Sequence, residues 1–172
     1  MKFWTLWLIV AGGIFVSGVS VADTSLNVSG TLVASTCTVN FPPKVTIGTF
    51  SGKDFPSIGS TSSFKAISIN LMDCYSKLST VSVTFSGVSD ADNPVLLAVT
   101  DPGTGGEIAT GVGIELMDNS GRTIPFNNVK PLSFTLDEGM TTLSFLLRYK
   151  STKYPVTSGE APAILNFDLA YQ

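Results

Sequence analysis

Apolar and polar residues alternate along this chain in short runs, and the most regular run is the last. From Ala163 to Tyr171 the odd positions Ala163, Leu165, Phe167, Leu169 and Tyr171 are apolar, while Asn166 and Asp168 sit between them. A period of two marks a β-strand with one face buried. The sequence ends directly after this strand, so nothing downstream is expected to pair with it or cover its inward face. A sandwich built from this chain alone would be left unfinished.

The same spacing recurs near the N-terminus, where Leu26, Val28, Gly30 and Leu32 alternate with Asn27, Ser29 and Thr31. This reads as a strand-like arm, or as an ordinary first strand of the same domain. Glycine inside such a pattern marks a place where another backbone or a bulky side chain comes close. Val39 and Phe41 follow Cys37, Pro42-Pro43 end or bend that strand, and Val45 to Phe50 alternates again. Ser51 to Ser63, rich in Gly, Ser, Pro and Thr, reads as a loop. Ile67, Ile69 and Leu71, then Val81, Val83 and Phe85, predict two neighbouring strands. Beyond them come a short apolar run from Leu96 to Thr100, the alternating Val112, Ile114 and Leu116, and a turn over Asp118–Arg122 leading to Ile124. Pro131 to Leu136 and the clear run Leu143, Phe145, Leu147 and Tyr149 complete the set, with Ser151 to Pro162 connecting to the last strand. Eight or nine short strands with no sustained helical period predict an all-β fold, an antiparallel β-sandwich of immunoglobulin-like architecture.

Composition changes this picture in two places. Met1-Lys2, the apolar stretch Phe3 to Val16 and the small residues Ser20-Val21-Ala22 read as a secretory signal peptide, residues 1–22. The apolar stretch is broken by Gly12-Gly13 and falls short of the ~20 residues of a spanning helix. No membrane insertion of the mature chain is expected, and one ordinary domain remains after cleavage. The second change concerns Cys37 and Cys74, since an even cysteine count in an exported chain reads as one disulfide. Two free thiols or half a metal site are the alternatives.

Candidate chemistry is sparse. The chain has 13 acidic and 10 basic residues and no histidine. Scattered, mildly acidic charge argues against nucleic acid or an anionic membrane as partner. Without histidine the commonest general base is missing, along with every Ser-His or Cys-His arrangement. Asp90 with Asp92, and Asp137 with Glu138, read as solvated loop acids. No enzyme activity, catalytic residue, metal site or cofactor is expected.

Both ends and the cysteine pair together carry a resemblance. Leu26-Asn-Val-Ser-Gly30, Thr36-Cys37-Thr-Val39, Cys74, Val83-Thr-Phe-Ser-Gly87, Gly111-Val-Gly-Ile-Glu-Leu116 and Val156-Thr-Ser-Gly-Glu160 stand in order along the mature chain. The most specific feature pairs Gly159, fourteenth from the end, with the penultimate Tyr171. The chain resembles pilins of the chaperone-usher class, and within it the type 1 fimbrial minor subunits.

That resemblance implies an incomplete immunoglobulin-like sandwich lacking its C-terminal G strand, completed by donor-strand complementation. A periplasmic chaperone would lend a strand first, and at the outer-membrane usher the arm of a neighbouring subunit would replace it. Strand addition to an open sheet edge is a general mode of recognition, of which chaperone–pilin complementation is itself an example. The implied organisation is a signal peptide over 1–22, a donor-strand extension over 23–34 carrying Leu26, Val28, Gly30 and Leu32, and a pilin domain over 35–172. Gly159, Leu165, Phe167, Leu169, Tyr171 and Gln172 would form the acceptor groove and chaperone-facing strand, with the Gln172 carboxylate anchoring a chaperone cation. The expected product is a structural subunit of a surface fimbria, an adaptor between tip and rod, exported through the periplasm and supporting adhesion. A major rod pilin is the alternative. A glycan-binding tip adhesin is disfavoured, because no room precedes the first strand for a lectin domain.

Overall fold

A computed structural model describes residues 36–101, 103, 105–127 and 130–172. The leader and the arm with Leu26, Val28, Gly30 and Leu32 lie outside the described residues. Eight strands appear among those described: β1 (Thr38–Asn40), β2 (Lys65–Met72), β3 (Thr80–Gly87), β4 (Leu97–Ala98), β5 (Val112–Met117), β6 (Leu132–Thr135), β7 (Met140–Ser151) and β8 (Leu165–Tyr171). They form a five-stranded sheet in the order β1-β2-β7-β5-β4 and a three-stranded sheet in the order β6-β3-β8. Every ladder is antiparallel. One turn of 3-10 helix, Gly52–Asp54, interrupts the loop after β1.

Alternation explains the layers. On β3, Val81, Val83 and Phe85 are buried while the residues between them are half-exposed. On β7, Leu143, Phe145 and Leu147 do the same from the facing sheet. These two sets meet in one core, where the Phe85 and Phe145 rings stand edge to face with centroids 4.9 Å apart. Such a pair is worth about 0.5–1.5 kcal/mol beyond the area it buries.

Cys37 and Cys74 are joined as a disulfide. The bridge ties the entry of β1 to the exit of β2, two strands already paired through Thr38↔Met72.

Two sequence expectations are corrected. The runs through Ile67–Leu71 and Val81–Phe85 are consecutive strands, but β2 and β3 lie in opposite sheets rather than side by side. Burial is the reason: each run has one apolar face, and two such faces cover each other across the core. Val45 to Phe50 alternates like a strand yet joins no ladder. Val45 and Ile47 pack against the core, but no described strand lies beside them to take their backbone hydrogen bonds. The turn over Asp118–Arg122 leads to Ile124 as expected: Met117 and Thr123 form an antiparallel bridge, and Ile124 N–H donates to Leu116 O at 2.8 Å.

The alternation on β5 also places Glu115 on the polar face, where water would be its natural partner. Instead Glu115 is 1% exposed. Arg148 Nε donates to its carboxylate at 2.6 Å, Lys150 Nζ at 3.0 Å and the Thr123 hydroxyl at 2.8 Å. Burial pushes this carboxyl up, but the three donors outweigh it and hold Glu115 below its ordinary value of 4.5. A depressed folded value means the group stabilises the fold above its unfolded value, and that stability is lost as pH falls through the folded value. Chemical unfolding at a series of pH values should therefore show stability declining below about pH 4.5, and Glu115→Gln should flatten that decline.

Candidate functional site

Along one side β8 is fully paired with β3, from Gly87↔Leu165 to Val81↔Tyr171. Along its other side no strand lies among the described residues. The consequence is visible in burial. Leu165, Phe167, Leu169 and Tyr171 face inward and pack on the core, yet each is only half-buried. The equivalent positions of β3 are sealed at 0–3% exposure. The difference is a missing neighbour: a strand flanked on both sides shields its inward side chains, whereas an edge strand leaves them open from the side.

Opposite this open edge runs the unladdered stretch from Phe41 to Gly52. Between the two lies a cavity of about 990 Å³. Core side chains form its floor, among them Phe85, Ile114 and Leu147, and Val45 and Ile47 form part of its far wall. The Phe50 ring stands edge-on to Tyr149, with centroids 6.0 Å apart. Tyr149 donates its hydroxyl to the Ala161 carbonyl at 2.9 Å, fixing the chain as it approaches β8, and burial pushes this phenol above its ordinary range. The groove is thus a long apolar trough beside a row of backbone groups with no sheet partner among the described residues. Its chemistry suits an extended peptide with apolar side chains at every second position.

Gly159 lines the trough. It approaches the chain at Glu107–Ala109 so closely that a Cβ there would stand against the Ala109 nitrogen, 2.5 Å from the Ile108 carbonyl carbon. A parallel bridge holds that approach, with Glu160 N–H donating to Glu107 O at 2.7 Å and Ala109 N–H to Glu160 O at 2.8 Å.

Of the residues expected at the groove, Gly159, Leu165 and Phe167 line the cavity. Leu169 and Tyr171 continue the same face of β8 but stand outside it. The Tyr171 hydroxyl is buried with no hydrogen bond of good geometry among the described residues. Burial pushes this phenol up, and the adjacent Cys37 backbone pulls the other way. Gln172 is engaged by its own chain: its carbonyl oxygen accepts from the N–H groups of Ser79 at 2.8 Å and Thr80 at 3.0 Å. Sequence reasoning missed the far wall. The alternation of Val45 and Ile47 was the available signal, but it reads equally well as an ordinary strand. Among the described residues no group of three or more His, Cys, Asp or Glu side chains could hold a metal ion.

Comparisons with known proteins agree with this fold. Residues 26–172 match the family model described as fimbrial protein. The chain is 38% identical over 152 residues to the uncharacterized fimbrial-like protein YcbU of Escherichia coli K12, covering 86% of this chain and 84% of that one. It is 36% identical over 159 residues to the fimbrial subunit type 1 of Salmonella typhimurium, covering 90% and 85%. Its fold is similar to the crystal structure of the P pilus rod subunit PapA, with a TM-score of 0.62, 23% identity, and 78% and 99% of the two chains covered. That likeness extends to an immunoglobulin-like, all-β sandwich. Architecture and sequence together place the chain in the fimbrial protein family.

Proposed function

We propose that this chain is a non-catalytic structural subunit of a chaperone-usher fimbria, joined to its neighbours by exchange of strands. The observation that carries the reading is the edge of β8 with no partner strand among the described residues, above an apolar trough of about 990 Å³. The alternating arm at Leu26, Val28, Gly30 and Leu32 has the spacing that such a trough accepts, so one molecule can supply what another lacks. In this reading residues 1–22 direct export and are removed, residues 23–34 are the donor extension, and residues 35–172 form the acceptor domain. A periplasmic chaperone occupies the trough first, the outer-membrane usher exchanges it for a neighbour's arm, and the subunit ends in a fimbrium on the cell surface.

An arm and a groove on one chain support a position with neighbours on both sides. That suits an adaptor between tip and rod, the position proposed here, and it equally suits a major rod pilin. Copy number relative to the other subunits in sheared fimbriae separates them: an adaptor is present at a few copies per fimbria and a rod subunit dominates the preparation.

Two experiments test the groove and the arm. Expressed in a periplasm without its chaperone or a donor peptide, the protein should be degraded or aggregated; stable soluble monomer would sink the acceptor reading. A chain lacking residues 24–32 should still be recovered bound to chaperone but should fail to complete a neighbour's groove. Normal fimbriae built from that truncated chain would show that the arm is not the donor.

A further inference from the structure

The two edges of β3 are closed unequally. Against β8 the strand is paired from Val81 to Gly87, but against β6 only from Thr80 to Val83. β6 stops there because Pro131, directly before Leu132, has no N–H to give a ladder. No strand among the described residues pairs with Thr84–Gly87 on that side. Beside this step lies a cavity of about 320 Å³, whose lining includes Val83, Phe85, Ile124 and Leu132. A bare strand edge next to an apolar hollow is the same combination that β8 offers, on a smaller scale.

One residue fills the step. Asn127 N–H donates to Phe85 O at 2.9 Å. Gly87 N–H donates to Asn127 Oδ1 at 3.1 Å, and Asn127 Nδ2 donates back to Gly87 O at 2.8 Å. Gly87 thus exchanges two hydrogen bonds with a carboxamide, as it would with a facing residue of an antiparallel strand. Turned over, the amide would set donor against donor, so only this orientation bonds both ways. Nδ2 also reaches Ser89 Oγ at 3.2 Å. Asn127 holds this place with a φ of +57°, a left-handed conformation in which asparagine is enriched.

We propose that Asn127 confines strand addition to β8. Its carboxamide takes the place of the strand that β6 does not supply, and it denies Phe85 and Gly87 to an incoming peptide backbone. The other edges presented by the described strands are short, with three residues on β1, two on β4 and four on β6, against seven on β8. With the step filled, β8 alone among these edges is long enough to take three apolar side chains at alternate positions. The inference rests on the reading of β8 as a strand acceptor.

The test uses the full chain co-purified with its periplasmic chaperone, a synthetic peptide with the sequence of residues 23–35 as probe, and native mass spectrometry as readout. Peptide on a chain that has lost its chaperone has entered the groove of β8; peptide on a chain that still holds chaperone has added elsewhere. Asn127→Gly removes the carboxamide and tolerates the same φ. It should form the ternary species at a peptide concentration roughly tenfold below any at which the parent forms it, the change that two lost hydrogen bonds support. A residue that only steadied the turn would lower the unfolding midpoint and yield no ternary species. If parent and variant form the ternary species equally, or neither forms it, Asn127 does not confine strand addition and the acceptor reading stands. If the parent chain is recovered without chaperone, the acceptor reading falls and this inference with it. Should Asn127→Gly yield no complex, Asn127→Asp decides, since it keeps an oxygen for Gly87 N–H but cannot donate to Gly87 O: a ternary species upholds the inference and its absence removes it.

Discussion

Gly159→Ala should unfold at a markedly lower urea concentration than the parent chain, with an unchanged slope. The added Cβ would meet backbone rather than side chain, standing against the Ala109 nitrogen, 2.5 Å from the Ile108 carbonyl carbon and 2.7 Å from the Glu107 oxygen. Backbone cannot rotate out of the way. The stretch 107–109 would have to move off, loosening the two hydrogen bonds that bind it to Glu160. Each is worth about 0.5–1.5 kcal/mol net. The φ of +150° at Gly159 adds about 1–3 kcal/mol of strain for a residue with a side chain. The expected loss is therefore about 2–6 kcal/mol, read as a shift in midpoint at constant slope. Peptide uptake should weaken as well, because Gly159 lines the trough. A variant as stable as the parent would mean that the close approach to residues 107–109 contributes nothing to the fold.

Replacing both Cys37 and Cys74 by serine should cost about 4 kcal/mol, in the chain-entropy account of a loop of this length. The bridge closes a sequence separation of 37 residues, and this loop contains the whole far wall of the groove, Phe41 to Gly52. That wall has no ladder of its own, so its position depends on the fixed ends of the loop and on the packing of Val45 and Ile47. Loss of the bridge should therefore loosen the groove more than the opposite sheet. Limited proteolysis measures this directly: cleavage after Lys44 and Phe50 should accelerate before any cleavage within β3 and β7. Equal acceleration everywhere would show that the disulfide stabilises the fold globally and has no special hold on the groove wall.

Some of the molecule was legible from residue types alone. The alternating runs located β2, β3, β5, β7 and β8 within a few residues, because the side-chain period of a strand is a local property. Two cysteines allow one intramolecular pairing, and the bridge is present. The inward face of the last strand was also legible, in the alternation of Leu165, Phe167, Leu169 and Tyr171.

Tertiary structure decided what alternation cannot express. A period of two says which face of a segment is apolar but not which segment lies beside it. Hence β2 and β3 part into opposite sheets, and Val45 to Phe50 alternates without becoming a strand. The same gap hid Glu115, placed by alternation on a wet face but buried when Arg148 and Lys150 arrive from β7. It also hid the meeting of Phe41 and Phe167, two residues 126 positions apart (167 − 41) whose rings stand edge to face only in the folded chain. Sequence alone marked the inward face of β8. The fold determined what lies across from that face, because only packing brings distant segments such as Val45 and Ile47 to the cavity.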